Sequence, residues 1–191
     1  MKIRFYNARI MTMTDGCALF SGELWVENDR ILYIGDGSDL DDFYKRTGKD
    51  CIVWDREIDC EGNVLMPGFK NAHTHSAMVA MRSFADDMPL QEWLNTKIFP
   101  LEAKMTDQDN YDLTQLAILE YLTSGVTSIF DMYLSPKDIA QACVDMGMRC
   151  VLVSGLNQFG PALEVMEERY LNLNKMHPLI TYMMGVHAEY T

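Results

Sequence analysis

The chain has 191 residues, 48% of them hydrophobic and 23% charged, with a net charge of -12. That length suits one well-buried domain with a small companion lobe, and the acidity, with Lys and Arg scattered rather than striped, argues against nucleic acid or anionic membrane as a partner. The opening "MKIRFYNARIMTM" is broken by polar residues and forms no signal-peptide core, no apolar run reaches membrane-helix length, and five cysteines without a CxxC pair argue against a disulfide framework. A reducing cytoplasm is the expected compartment.

Residues 1–63 read as short strands and turns. "KIRFYNARIMTM" carries strand-type residues, and "GELWVENDRILYIG" is a hairpin turning at Glu27-Asn28-Asp29-Arg30. "SDLDDFYKRTGKD" is a polar connection or short helix, and "EIDCEGNVLMP" returns to strand texture. A small β-sandwich lobe is expected here.

The rhythm changes over residues 64–191. Strands are expected at "VLMPGF", "VTSIFDMY", "CVLVSGL" and "LITYMMGVH", with helices over 106–124, 135–147 and 161–175. The first helix repeats apolar residues (Leu113, Leu116, Ala117, Leu119) at three-to-four spacing. Gly125, Gly147 and Pro178 punctuate the helix ends, and Ser135-Pro136 offers a cap before a first-turn proline. Cys143 and Cys150 sit in apolar surroundings and read as buried thiols. Alternating strands and helices imply parallel strands, in a barrel or an open doubly wound sheet. Polar residues gather at the strand C-terminal ends (His73, His75, Asp131, Asn157, His187), the rim where a barrel places its active site. The absence of GxGxxG or a Walker loop weakens the nucleotide-binding sheet. Four barrel strands are half of the usual eight.

"FKNAHTHSAM" holds two of the four histidines. On a strand, His73 and His75 face the same side, so their imidazoles converge and suit a divalent metal, zinc first. Thr74, between them, points away, where any small residue is expected to serve.

"VLMPGFKNAHTHSAM" resembles the metal-binding first strand of the amidohydrolase superfamily. "MRSFADDMPLQEWL" narrows the resemblance to the cytosine/adenosine deaminase and chlorohydrolase branch, and within it to 5-methylthioadenosine/S-adenosylhomocysteine deaminases. "SGVTSIFDMY" and "GVHAEYT" are similar to that family's second and fourth strands. The resemblance implies a small β lobe followed by the first half of a metal-dependent (β/α)8 TIM barrel. It implies hydrolytic deamination of an adenosine-type or related aminated heterocycle, such as 5'-methylthioadenosine. One divalent ion, zinc or iron, holds a hydroxide that attacks the amino-bearing ring carbon. His73 and His75 become two metal ligands, and His187 a catalytic group that also hydrogen-bonds the purine. The family's remaining ligands, a histidine on the fifth strand and an aspartate on the eighth, and its proton-shuttling glutamate fall outside these residues.

Other candidates are softer. Glu102 in "FPLEAKM" matches a glutamate that clamps ribose hydroxyls, although a solvated helix-face charge explains it equally. Trp93 in "LQEWL" suits an adenine-stacking wall, although core packing explains it as well. Asp131 supports the metal site or caps the following turn. His177, at a helix end, is assigned no chemistry. "LVSGLNQFGPAL" lacks an arginine for a homocysteine carboxylate, with Arg149 at the other end of its strand and Arg169 on a helix, so an uncharged thioadenosine, adenosine or another aminated heterocycle is as well suited as a carboxylate-bearing substrate. A second reading is a non-catalytic half-barrel, or a structural module, completed by a second copy or by a missing C-terminal half.

Overall fold

The computed structural model describes residues 1–16, 18–49, 51–156 and 160–186. The chain divides into two compact units, Met1–Pro67 and Gly68–Thr191.

In the first unit, β1 (Lys2–Ile10), β2 (Phe20–Glu27), β3 (Arg30–Gly35) and β4 (Arg56–Asp59) form a sheet ordered β3-β2-β1-β4. The β2–β3 hairpin forms where expected, with Asn28 at a φ of 56°, a conformation asparagine tolerates well. The uncertain polar stretch is a helix, α1 (Leu40–Thr47), stopped by Gly48 in the left-handed conformation. Its Phe43 is buried with Trp25 and Tyr33, and Trp25 meets Phe43 edge-on at 5.5 Å. The lobe is one sheet closed by a helix and an aromatic cluster. A sandwich lobe is expected to be incomplete without further chain, and the described residues of the lobe supply one sheet.

The boundary falls after Pro67, not after residue 63. Val64–Leu65, β5, pairs with β1 through Arg9 and Ile10 and belongs to the lobe. Pro67 has no amide hydrogen to continue a ladder. The first strand of the second unit is therefore β6 (Phe69–Thr74), later than "VLMPGF" suggests.

That unit is a four-stranded parallel sheet: β6, β7 (Val126–Asp131), β8 (Arg149–Leu156) and β9 (Ile180–Val186), in sequence order. The order never reverses, as it does in a doubly wound sheet. Between β6 and β7 lie a 3-10 helix (Ser76–Met81), α2 (Leu90–Trp93), a π-helical stretch (Leu94–Ile98), α3 (Phe99–Glu102) and α4 (Asp107–Thr123). α5 (Pro136–Met146) joins β7 to β8, and α6 (Leu163–Leu173) joins β8 to β9. The three long helices lie within a few residues of their expected ranges. α4 opens with a capping box in which Thr106 and Asp109 satisfy each other's backbone amides. Ser135 does not cap α5. Its φ is 47°, and its hydroxyl instead donates to Asp107 at 2.7 Å.

The core lies between this sheet and its helices. Ile118 of α4, Ile139 and Cys143 of α5, and Ile129, Cys150, Leu152, Ile180 and Tyr182 of the strands are all buried there. Alternation of side chains along each strand sends Ile129 and Asp131 to this helix-covered face. Cys143 and Cys150 are free thiols in the core. Among the described residues, no helix is long and apolar enough to cross a membrane.

Candidate metal centre

β6 ends in His73-Thr74, and His75 follows before the chain enters its 3-10 turn. The two imidazoles lie side by side, ring centroids 5.0 Å apart and nearly perpendicular. His75 Nδ1 is 2.5 Å from the carbonyl oxygen of Met132. A carbonyl only accepts, so Nδ1 carries the proton and Nε2 keeps its lone pair. That is the tautomer and fixed ring orientation that a metal-ligating histidine needs. The His73 ring makes no hydrogen bond among the described residues. This donor pair fits a borderline-soft divalent ion. Among the described residues no third His, Cys, Asp or Glu joins a ligand cluster. A closed coordination shell therefore needs donors from beyond them.

Thr74 does point away from the histidines, but the site is not permissive. Its hydroxyl donates to Asp131 Oδ2 at 2.7 Å and reaches the Phe130 carbonyl at 3.1 Å. The Ser76 amide donates to the same Asp131 oxygen at 2.8 Å, and the Ser76 hydroxyl donates to it as well. Asp131 is 0% exposed. Burial pushes its carboxyl above the usual range, opposed by the Ser76 and Thr74 hydrogen bonds and by nearby His75. Asp131 thus supports the strand that carries the histidines and does not cap the turn that follows it.

A cleft of about 390 Å³ is lined by His75, Ser76, Met81, Trp93 and Tyr121, among others. Trp93 ends α2 half-buried, and its indole nitrogen donates to the Phe84 carbonyl at 3.2 Å. The neighbouring loop is conformationally unusual, since Ser83, Ala85 and Asp87 all take positive φ. Arg82 pairs with Glu120 at 2.6 Å, and both residues border the cleft.

Glu102, half-buried at the end of α3, lies against Tyr133. Burial, with the Glu102 carboxylate alongside, pushes the Tyr133 hydroxyl well above its usual range. The Tyr133 ring is 6.4 Å from that of His75. Sequence reading passed over Tyr133, although its place just beyond β7 in "FDMY" was the available signal. His187 and Asn157 lie outside the described residues. His177 is exposed beyond the end of α6, and its Nδ1 accepts from the Leu179 amide at 3.2 Å in the turn that leads into β9. Arg149 lies at the start of β8, and Arg169 donates to Ser154 at 3.1 Å.

Residues 64–188 match the model of the amidohydrolase family. The chain belongs to that family. It is 42% identical over 175 residues to a 5-methylthioadenosine/S-adenosylhomocysteine deaminase of Desulfitobacterium hafniense, covering 89% of this chain and 39% of the relative. It is 41% identical over 141 residues to a 5'-deoxyadenosine deaminase of Methanospirillum hungatei, covering 70% of this chain and 31% of the relative. Among solved structures, an adenosine deaminase from Xanthomonas campestris with bound zinc superposes with a TM-score of 0.82 at 24% identity, covering 99% of this chain and 43% of that one. The second unit thus has the strand order of the first half of an amidohydrolase barrel. The chain spans about two-fifths of the length of the first of these relatives.

Proposed function

We propose that this amidohydrolase is a hydrolytic deaminase of adenosine-type substrates, with 5'-methylthioadenosine as the model compound. The observation that carries the reading is the His73/His75 pair, with the His75 tautomer fixed by Met132, beside a cleft walled by Trp93. The relatives' names support the same chemistry. In the overall reaction, water adds to the amino-bearing ring carbon, the carbon–nitrogen bond breaks and ammonia leaves.

His73 and His75 would hold one divalent ion, zinc before iron. When bound, the ion lowers the pKa of a water molecule to near neutrality and so supplies the nucleophile. The Met132 carbonyl keeps the His75 proton on Nδ1. Trp93 offers a flat face against which an adenine ring can stack. Glu102 accepts hydrogen bonds from the two ribose hydroxyls, steadied by Tyr133. His187 is assigned a hydrogen bond to the purine, on sequence grounds alone. Among the described residues Arg82 is paired with Glu120 and Arg169 is engaged with Ser154, so an uncharged thioadenosine, which needs no cationic partner, suits this part of the site as well as a carboxylate-bearing substrate does. The remaining metal donors would come from further barrel strands, and cover for the outer strands β6 and β9 from those strands or a second copy. A reducing cytoplasm suits the free cysteines.

The test is ammonia release, with the ultraviolet shift as the aminopurine becomes the oxo-purine, in the metal-loaded full-length protein. 5'-Methylthioadenosine should react, and adenosine and S-adenosylhomocysteine are compared with it. Metal-loaded protein that releases no ammonia from any of the three would overturn the reading.

A further inference from the structure

We infer that Asp131 is a positioning residue, which sets the two histidines for metal through a hydrogen-bonded clamp on the sheet face opposite them. The inference rests on reading His73 and His75 as ligands. Thr74 and Asp131 are register partners across β6 and β7. Three donors converge on one carboxylate oxygen: the Thr74 hydroxyl at 2.7 Å, the Ser76 amide at 2.8 Å and the Ser76 hydroxyl. They flank His75 in sequence, so the carboxylate grips the chain on both sides of it. The next residue of that chain completes the clamp. The Met132 amide donates to the Thr74 carbonyl at 3.1 Å, and the Met132 carbonyl receives His75 Nδ1.

β6 therefore reaches its last residue with its backbone locked to β7 and one imidazole already oriented. The arrangement needs an acceptor oxygen in that place. A carbonyl oxygen accepts the same three donors, each more weakly than a carboxylate does. An apolar side chain would leave Thr74 and the Ser76 amide unpaired in a buried place. Loss of such support around metal ligands typically weakens metal binding by about 10–100-fold.

The experiment uses the full-length protein with cobalt(II) in place of the native metal. It reads the visible ligand-field spectrum and the rate of cobalt loss to excess chelator. Thr74→Val keeps the side-chain shape and removes one donor. It should alter the spectrum and speed metal loss about tenfold, and Thr74→Ser should restore both. Asp131→Asn, which keeps an acceptor oxygen, should fall between native and Thr74→Val. Unchanged spectrum and release rate in both Thr74→Val and Asp131→Asn, even with a lowered melting temperature, would make the clamp merely structural and overturn the inference. If Asp131→Asn fails to fold, the Thr74 pair decides alone. His75→Ala separates the two layers. Cobalt bound with a native spectrum in that variant overturns the ligand reading itself, and the clamp's role with it.

Discussion

At the scale of single residues, the lobe holds its clearest ion pair. The Arg4 guanidinium donates to Glu23 through Nε at 2.7 Å and Nη2 at 2.5 Å, and Trp25 Nε1 adds a third bond at 2.7 Å. The Arg4 hydrogen bond, opposed by partial burial and helped by Trp25, holds the Glu23 carboxyl below its usual range. A depressed folded pKa contributes stability at pH values above the unfolded carboxylate range, near 4.3, and that contribution fades as pH falls through the folded value. Glu23→Gln should therefore lower lobe stability at neutral pH by about 1 kcal/mol, allowing for partial exposure. The deficit should shrink as pH falls below the unfolded carboxylate range and through the depressed folded value. Urea melts of the two proteins at pH 7 and pH 3 check this, and an equal deficit at both would contradict it. The closeness of the two histidines was legible in the sequence from their spacing by two, although His75 lies one residue past the end of β6. The partners of Asp131 were not. Which neighbour a buried carboxylate binds depends on register between β6 and β7, fifty-odd residues apart in the chain.

At the scale of elements, the helices were legible and one strand was misplaced. α4 has a capping residue at its start and α5 a glycine at its end, and all three long helices carry apolar residues at close spacing, signals confined to a few neighbouring positions. "VLMPGF" reads as one apolar run, yet it is split between two sheets. Val64 and Leu65 pair in the lobe, while Phe69 opens β6. Gly68, at the start of the second unit, makes the close approach to β7 possible. A Cβ there would lie 2.2 Å from Thr127 Cγ2 and 2.3 Å from its Oγ1. Threonine is short and β-branched, with little freedom to yield. Gly68→Ala should cost about 2 kcal/mol by overpacking, seen as a lower denaturation midpoint. Adding Thr127→Ala should recover part of the loss, because neighbouring substitutions are coupled.

At the scale of the whole molecule, the parallel sheet has two outer strands, β6 and β9, that carry exposed apolar side chains. Phe69 is 59% exposed and Val186 is 70% exposed. Outer strands of this kind invite pairing. The 191-residue polypeptide should bind a hydrophobic dye and associate as concentration rises. A dye-silent monomer would contradict this. By itself, the sequence determined the class of structure, the helix positions and the histidine pair. Each of these follows from periodicity, a capping residue or a two-residue spacing, all local properties of the chain. The tertiary structure alone decided where the lobe ends, that Thr74 and Ser76 share one buried carboxylate, that Met132 sets the His75 tautomer, and that Tyr133 stands beside Glu102. Those facts depend on strand register and on groups brought together from distant parts of the chain, which local pattern does not encode.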